Sequence, residues 1–460
     1  MAKIGILKEN QLNESRVSMN HNAVETLISR TKHKVFISSD AGLLSGVENE
    51  KYIDAGAKVL ESNKDVIREC EIIVKIGKPS LKELEHFKEN QILFCFLNIS
   101  SDPEYAKKLA DKKITAIGYE LIYDEQNDNY PILATMSELV GKVCYSIGSN
   151  LLSSENGKGI LLGGLGSTSR SKVVIFGGGN AGRAFMKLAD NAGSRVVVFE
   201  TDLNLAQKIN AERPHVETMY PFKHLIQKEI KNADLVLGST FNGKKKVNKL
   251  LREYMIKGME PKSVIIDLTH ECGGICDTTR YKPNIKNHIL TRHNVLHYFV
   301  PNVATFVPAT ATSALAAPIL ISLIEYLITS FNGIENEKFE NATAVKKGEI
   351  ADWISLDEDL ENIEYRKRIE KLVDHKDEND YDLFSMLDDD SNSFENQEDY
   401  SSSIHNEVED ILSDPYEVKK TTNLKTEFKD IDKFIKSKQE SFGMDAFDDD
   451  DFLEELDEED

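Results

Sequence analysis

The chain has 460 residues, 40% of them apolar, with 78 Asp and Glu against 56 Lys and Arg and a formal net charge of −22 at pH 7. The acidity is concentrated: residues 357–460 hold 37 acidic and 12 basic residues, which leaves 41 and 44 for residues 1–356. A nearly neutral body followed by an acidic tail excludes a nucleic-acid surface, because the tail repels phosphate; the length points to several domains with ordinary cores.

The opening MAKIGILKEN lacks the apolar run and cleavage site of a signal peptide. Residues 3–120 then alternate two patterns. KIGIL (3–7), KVFIS (34–38), EIIVKI (71–76), QILFCFL (91–97) and ITAIGY (114–119) read as strands, and residues 22–29, 81–87 and 104–112 as helices between them. Short apolar strands separated by amphipathic helices predict a parallel sheet covered on both faces. A helix over 137–152 and the run GKGILLGGLGS lead into a second set: KVVIFG (172–177), RVVVFE (195–200), DLVLGS (234–239) and SVIIDL (263–268). After Asn302 the chain turns helical through Leu327. Its longest apolar stretch, 314–327, contains Glu325 and is too short to span a bilayer, so no membrane role is expected. The five cysteines, Cys70, Cys95, Cys144, Cys272 and Cys276, fit reduced thiols in a cytoplasmic protein. Cys272, Cys276 and nearby His270 fall short of a tetrahedral zinc site, and no metal is expected. Beyond Leu356 the segment 357–460 is too charged to offset the cost of ordering, and reads as largely disordered with a helix over 360–373.

The sharpest motif is Gly177-Gly178-Gly179-Asn180-Ala181-Gly182, after one strand and before a helix, with the next strand ending in Glu200. Gly177 permits the tight turn, Gly179 lets backbone approach a pyrophosphate, and Gly182 lets helix and strand pack closely. Glu200, 18 residues past Gly182, would accept hydrogen bonds from ribose hydroxyls and repel a 2′-phosphate, so the expected cofactor is NAD rather than NADP. Arg183 either contacts phosphate or is a solvated surface residue. In the first strand set, Lys75, Asn98 and Glu120 fall at strand ends, and Arg16 lies in the loop after the first strand. Two cations suit a small-molecule carboxylate: Arg as a fork, Lys as a point charge.

At these residues the chain resembles the alanine dehydrogenase/transhydrogenase α-subunit family. GILKENQLNESRVSM is similar to its Gly-x-x-Lys-Glu and Glu-x-Arg-Val opening, and IIVKIGKP to its Val-Leu-Lys-Val-Lys-Glu-Pro segment. ILATMSELVGK, KGILLGGLGS, IFGGGNAGRAF, IIDLTHECGG and HYFVPNVATFVPATAT resemble further family segments in the same order, over roughly residues 3–356. The resemblance implies an α/β fold of two Rossmann-like, doubly wound domains around a cleft, plus the disordered acidic tail. Its domains would be 1–137 with 305–356 (substrate-type), 138–304 (NAD-binding) and 357–460 (tail). It also implies that Arg16 and Lys75 hold substrate, that Ser137, Gly177, Gly179, Gly182, Glu200, Glu271 and Asn302 line the cofactor side, and that the chain forms a homo-oligomer. In alanine dehydrogenases NAD accepts hydride from the amino acid, and water then releases a 2-oxo acid and ammonia.

Four positions depart from the family pattern. The catalytic histidine aligns with Asn98, whose amide cannot carry a proton near neutrality. The catalytic Asp is Glu271, the Arg of a Pro-Arg-Thr-Ser-Thr segment is Ala309, and a Met-Pro-Gly turn is Val303-Ala304-Thr305. Three functions follow as expectations. The first is an NAD-dependent amino-acid dehydrogenase with Lys75, Glu271 and Asn98 at its centre, Glu271 or His270 serving as base. The second is a catalytically silent NAD(H)-binding scaffold whose tail, with its apolar clusters among acidic runs, recruits a protein partner. The third is a soluble transhydrogenase-like subunit. A solvent-facing loop position is the favoured reading of His270.

Overall fold

Runs of β-branched and aromatic residues pleat well and lie hidden on both faces once helices cover them. The computed structural model describes residues 1–11, 13–99, 102–240, 247–270, 273–279, 289–299 and 302–354. In it these runs become β1 (Lys3–Ile6), β2 (Lys34–Ser38), β3 (Lys58–Leu60), β4 (Ile72–Gly77), β5 (Ile92–Phe96) and β6 (Thr115–Gly118). They continue as β7 (Lys172–Phe176), β8 (Arg195–Phe199), β9 (Glu217–Met219), β10 (Leu235–Gly238), β11 (Val264–Asp267), β12 (Ile289–Arg292), β13 (Val295–Tyr298), β14 (Thr343–Lys346) and β15 (Glu349–Ile350).

Two sheets result, ordered β15-β14-β6-β5-β4-β1-β2-β3 and β12-β13-β11-β10-β7-β8-β9. The fold is α/β, with two Rossmann-like, doubly wound sheets. The interior pairings are parallel. One outer edge of each sheet is antiparallel, through β14 and β15 in the first and β12 in the second. Those edges, with the short β3 and β9, escape the sequence reading because edge strands need no continuous apolar run: β9 is only half-buried throughout.

Alternate residues of each strand enter opposite cores. Ile4, Ile6, Ile37 and Val74 lie on one face of the first sheet, Phe36, Ile73, Leu93 and Cys95 on the other. Val173 and Ile175 lie on one face of the second, Val174 and Phe176 on the other. Each such side chain contributes about 1.5–3 kcal/mol on burial.

Two long helices join the sheets. The helix Pro131–Ser153 starts six residues before the sequence reading placed it, because Pro131 suits a helix's first turn. It sends Ile132 and Met136 into the first core and Cys144, Leu151 and Leu152 into the second. The helix Pro308–Phe331 returns to the first core with Ala311, Leu315, Ile319, Leu323 and Leu327. It extends both before and past the apolar stretch 314–327 read from sequence, and by length and composition it is long and apolar enough to cross a membrane. Glu271, Cys272 and the tail 357–460, with the helix expected over 360–373, lie outside the described residues.

Candidate functional site

The glycine turn sits at the carboxyl end of β7. Gly177 has φ 93°, a left-handed conformation that costs any residue with a Cβ. A Cβ on Gly182 would lie 2.0 Å from the Gly177 carbonyl oxygen, so this helix packs on its strand at backbone contact. Gly179 differs: it is the N-cap of the helix Asn180–Asn191, and a Cβ there would meet nothing within 4 Å. Open space at a helix N-terminus is what a pyrophosphate requires. Glu200 reaches into the same turn. Its Oε2 accepts the Gly178 N–H at 2.6 Å, and its Oε1 accepts those of Thr201 at 2.7 Å and Asp202 at 3.0 Å. The acid is thus pinned beside the turn, where a dinucleotide's ribose would lie. Arg183 bonds back to Asn180 Oδ1 at 3.2 Å, and Ser137 is half-buried on the linking helix. These residues fit NAD.

At the end of β11, Asp267 organises the following loop. Its Oδ1 accepts from Thr269 N–H at 3.0 Å and hydroxyl at 2.7 Å; its Oδ2 accepts from Ile275 N–H at 2.9 Å and the Thr279 hydroxyl at 2.8 Å. The loop folds inward as a result. His270 is 4% exposed with Nδ1 2.9 Å from the Asp267 carbonyl oxygen, which corrects the expectation that it faces solvent. On neighbouring β13, burial pushes His297 down to about 4; its ring bonds to the Thr278 hydroxyl at 2.8 Å and the Val295 carbonyl at 3.0 Å.

The first sheet's carboxyl edge carries the cations. Lys75 has no solvent exposure, and its Nζ donates to Glu9 Oε2 at 2.6 Å while Glu9 Oε1 accepts the Ile76 N–H at 2.6 Å. Burial raises the Glu9 carboxyl above its usual range, against the pull of Lys75. On the adjacent strand's loop, Asn98 is exposed with φ 46° and donates its backbone N–H to Glu120 Oε1 at 2.7 Å; Leu97 N–H donates to the same oxygen at 3.1 Å. Burial raises Glu120 as well.

Arg16 is buried and heavily engaged. Its Nε and Nη2 donate to the two Glu14 oxygens at 2.8 and 2.6 Å, Nη2 also donates to Asn302 Oδ1 at 2.9 Å, and Nη1 lies 3.5 Å from Met136 Sδ. Asn302 Nδ2 donates to Glu14 Oε2 at 2.7 Å. Burial alone would raise Glu14, but the Arg16 guanidinium outweighs it and holds the carboxyl below its ordinary value.

Arg16 and Asn302 therefore touch across the two sheets, and Asn98 and Glu120 touch within the first. Lys75 sits one strand over, against Glu9. Sequence reasoning missed Glu9, Glu14 and Asp267. Glu14 could have been found from NES beside Arg16, and Asp267 as an acid that ends the apolar run SVIID; Glu9, 66 residues from Lys75, carried no such signal.

Two family descriptions match the chain: Alanine dehydrogenase/PNT, N-terminal domain, over residues 5–140, and Alanine dehydrogenase/PNT, C-terminal domain, over residues 145–352. An alanine dehydrogenase of Methanococcus maripaludis is 37% identical over 314 residues, covering 68% of this chain and 84% of the relative. One from Bacillus subtilis is 35% identical over 314 residues, covering 68% and 82%. A solved L-alanine dehydrogenase superposes with a TM-score of 0.70 at 28% identity, over 76% of this chain and 96% of that one. A transhydrogenase from Sinorhizobium meliloti, 20% identical with a TM-score of 0.65 over 76% and 98%, shares the fold.

Proposed function

The chain belongs to the alanine dehydrogenase/PNT family, and from that premise we propose that it is an NAD-dependent dehydrogenase that oxidises a small L-amino acid to a 2-oxo acid and ammonia. One observation carries this reading. The carboxyl edge bearing the glycine turn and the carboxyl edge bearing the two cations meet through the Arg16–Asn302 contact. In doubly wound folds, ligands bind outside those edges. Gly177, Gly179, Gly182, Glu200, Ser137 and Asn302 hold the cofactor, and a bound NAD supplies the hydride acceptor. Arg16 anchors the substrate carboxylate. Lys75 orients the reacting carbon's oxygen or nitrogen, and Glu271 positions water.

The reading extends to the whole chain. Residues 1–137 with 305–356 form the substrate-side domain, 138–304 the NAD domain, and 357–460 a tail that docks on a partner protein. The protein works in the cytoplasm as a homo-oligomer.

Asn98 favours a second reading, a catalytically silent NAD(H)-binding scaffold, because no group at that position moves a proton. The experiment that separates the two is titration of the full-length protein with NAD and NADP, followed by a screen of the twenty amino acids for NADH formation. Selective NAD binding with turnover of a small amino acid supports the enzyme. Binding without turnover leaves the scaffold, and no nucleotide binding overturns both. A histidine tolerates left-handed backbone, so Asn98→His should raise a weak activity, general acid–base groups contributing ~10²–10⁴-fold. An Asn98→His variant no faster than wild type would show that the missing proton carrier is not what limits the rate.

A further inference from the structure

The loop that leaves β11 is held by two charged groups, one on each limb. The near limb is tied from within. The Asp267 carboxylate takes the Thr269 N–H and hydroxyl on one oxygen, and the Ile275 N–H and Thr279 hydroxyl on the other. A Cβ on Gly274 would lie 2.6 Å from that second oxygen, so glycine alone fits there, at φ 73°. Gly273 beside it is left-handed as well, φ 97°.

The far limb is tied by residues 249–251. Leu250 and Leu251 both donate their N–H groups to the Ile275 carbonyl, at 2.8 and 2.9 Å, and Asp277 N–H donates to the Leu251 carbonyl at 2.9 Å. This main-chain seam ends at Ile275, and Lys249 carries it further. Its Nζ donates to the Cys276 carbonyl at 2.6 Å and, past the end of the seam, to the Gly273 carbonyl. On the other side of that peptide, Gly274 N–H donates to the Thr269 carbonyl at 2.9 Å. The Gly273–Gly274 peptide is thus fixed at both its oxygen and its nitrogen. Glycine backbone passes readily between left- and right-handed conformations, and the ammonium selects one of them. Immobilising a long, half-buried lysine for this costs rotamer freedom.

The loop stands at the cofactor edge. β11 runs parallel to β10, and β10 to β7, so it leaves the carboxyl edge that carries the glycine turn. Glu271, given above the task of positioning water, is one of the two residues between His270 and Gly273. We propose that Lys249 is a positioning residue: by holding the Gly273 carbonyl it sets the loop that carries Glu271 for water addition, and leaves nucleotide binding and hydride transfer to other groups. This rests on the dehydrogenase reading and divides its chemistry in two. Removing hydride from the amino acid's ammonium form releases one proton and leaves an iminium. Water then adds to that carbon, and ammonium departs as the 2-oxo acid forms.

The test is stopped-flow NADH formation by the full-length protein, with NAD and the amino acid that wild type oxidises fastest among the twenty. Lys249→Met keeps the length of the side chain and loses the ammonium. Its first turnover should keep the wild-type rate, as a burst of NADH stoichiometric with sites. Later turnovers should slow on the order of tenfold or more, since a misplacement of about 1 Å costs up to ~10²-fold. The NADH dissociation constant should not change. If that variant does not fold, Lys249→Gln, whose amide reaches at most one of the two carbonyls, serves for the same readout. An equal loss in first and later turnovers would mark a merely structural role and overturn the proposal, as would a variant that matches wild type throughout. A wild type that forms no NADH with any amino acid overturns the dehydrogenase reading itself, and this inference with it.

Discussion

Lys75 lies in the middle of an apolar strand with no exposure, and the carboxylate 2.6 Å away is what makes that position tenable. Each charge compensates the other's lost hydration, and Glu9 is further held by the Ile76 N–H. Removing one partner of a buried pair strands the other and costs about 3–5 kcal/mol. Glu9 softens that cost by taking up a proton, since burial already raises its carboxyl. Lys75→Met should therefore lower the unfolding free energy by about 3 kcal/mol, the lower end of that range, in urea titration. The double variant Lys75→Met, Glu9→Gln should recover more than half of it, yet stay inactive in the amino-acid screen. A single variant as stable as wild type would mean that the pair carries no structural weight. Recovered activity in the double variant would remove Lys75 from the reaction.

At the scale of the element, the strand–turn–helix around Gly177 separates two demands that the three glycines meet differently. Gly182 is structural: a Cβ there would collide with a backbone carbonyl at 2.0 Å. Gly179 faces open space. Gly179→Val should therefore fold with a melting temperature near wild type while losing nucleotide binding, because its side chain fills the room a pyrophosphate needs. Gly182→Val should destabilise the domain outright. Nucleotide titration beside a thermal melt distinguishes them. An unchanged dissociation constant in Gly179→Val would reject the turn as the cofactor's seat.

For the whole molecule, the helix Pro308–Phe331 is apolar on two faces. One is buried in the first core; the other leaves Ile321 63%, Ile328 55% and Phe331 58% exposed. Exposed apolar residues at this helical spacing favour association. The proposed homo-oligomer should use this face, so wild type should elute as an oligomer in light scattering, and Ile321→Asp with Ile328→Asp should yield a smaller species that still binds nucleotide. A strict monomer at micromolar concentration would reject the oligomer. The same mass in wild type and variant would move the interface elsewhere.

Sequence alone determined what depends on neighbours along the chain. Apolar period and turn glycines predict most of both sheets' parallel interiors and the glycine turn after β7, because strand pleat, helix pitch and left-handed φ are local properties; the buried interior strand β13, interrupted by His297, was not legible this way. Glu200 was legible too, since its distance from the glycines is set by one helix and one strand. Only the tertiary structure decided who neutralises whom. Glu9 meets Lys75 across 66 residues, and Glu14 and Arg16 meet Asn302 across more than 280. It also turned His270 inward, with its Nδ1 on the Asp267 main-chain carbonyl, in a loop whose Ile275 N–H the Asp267 carboxylate holds. Charge pairing in a buried site is settled by which strand ends come together, and that follows from sheet order and domain contact rather than from spacing in the chain.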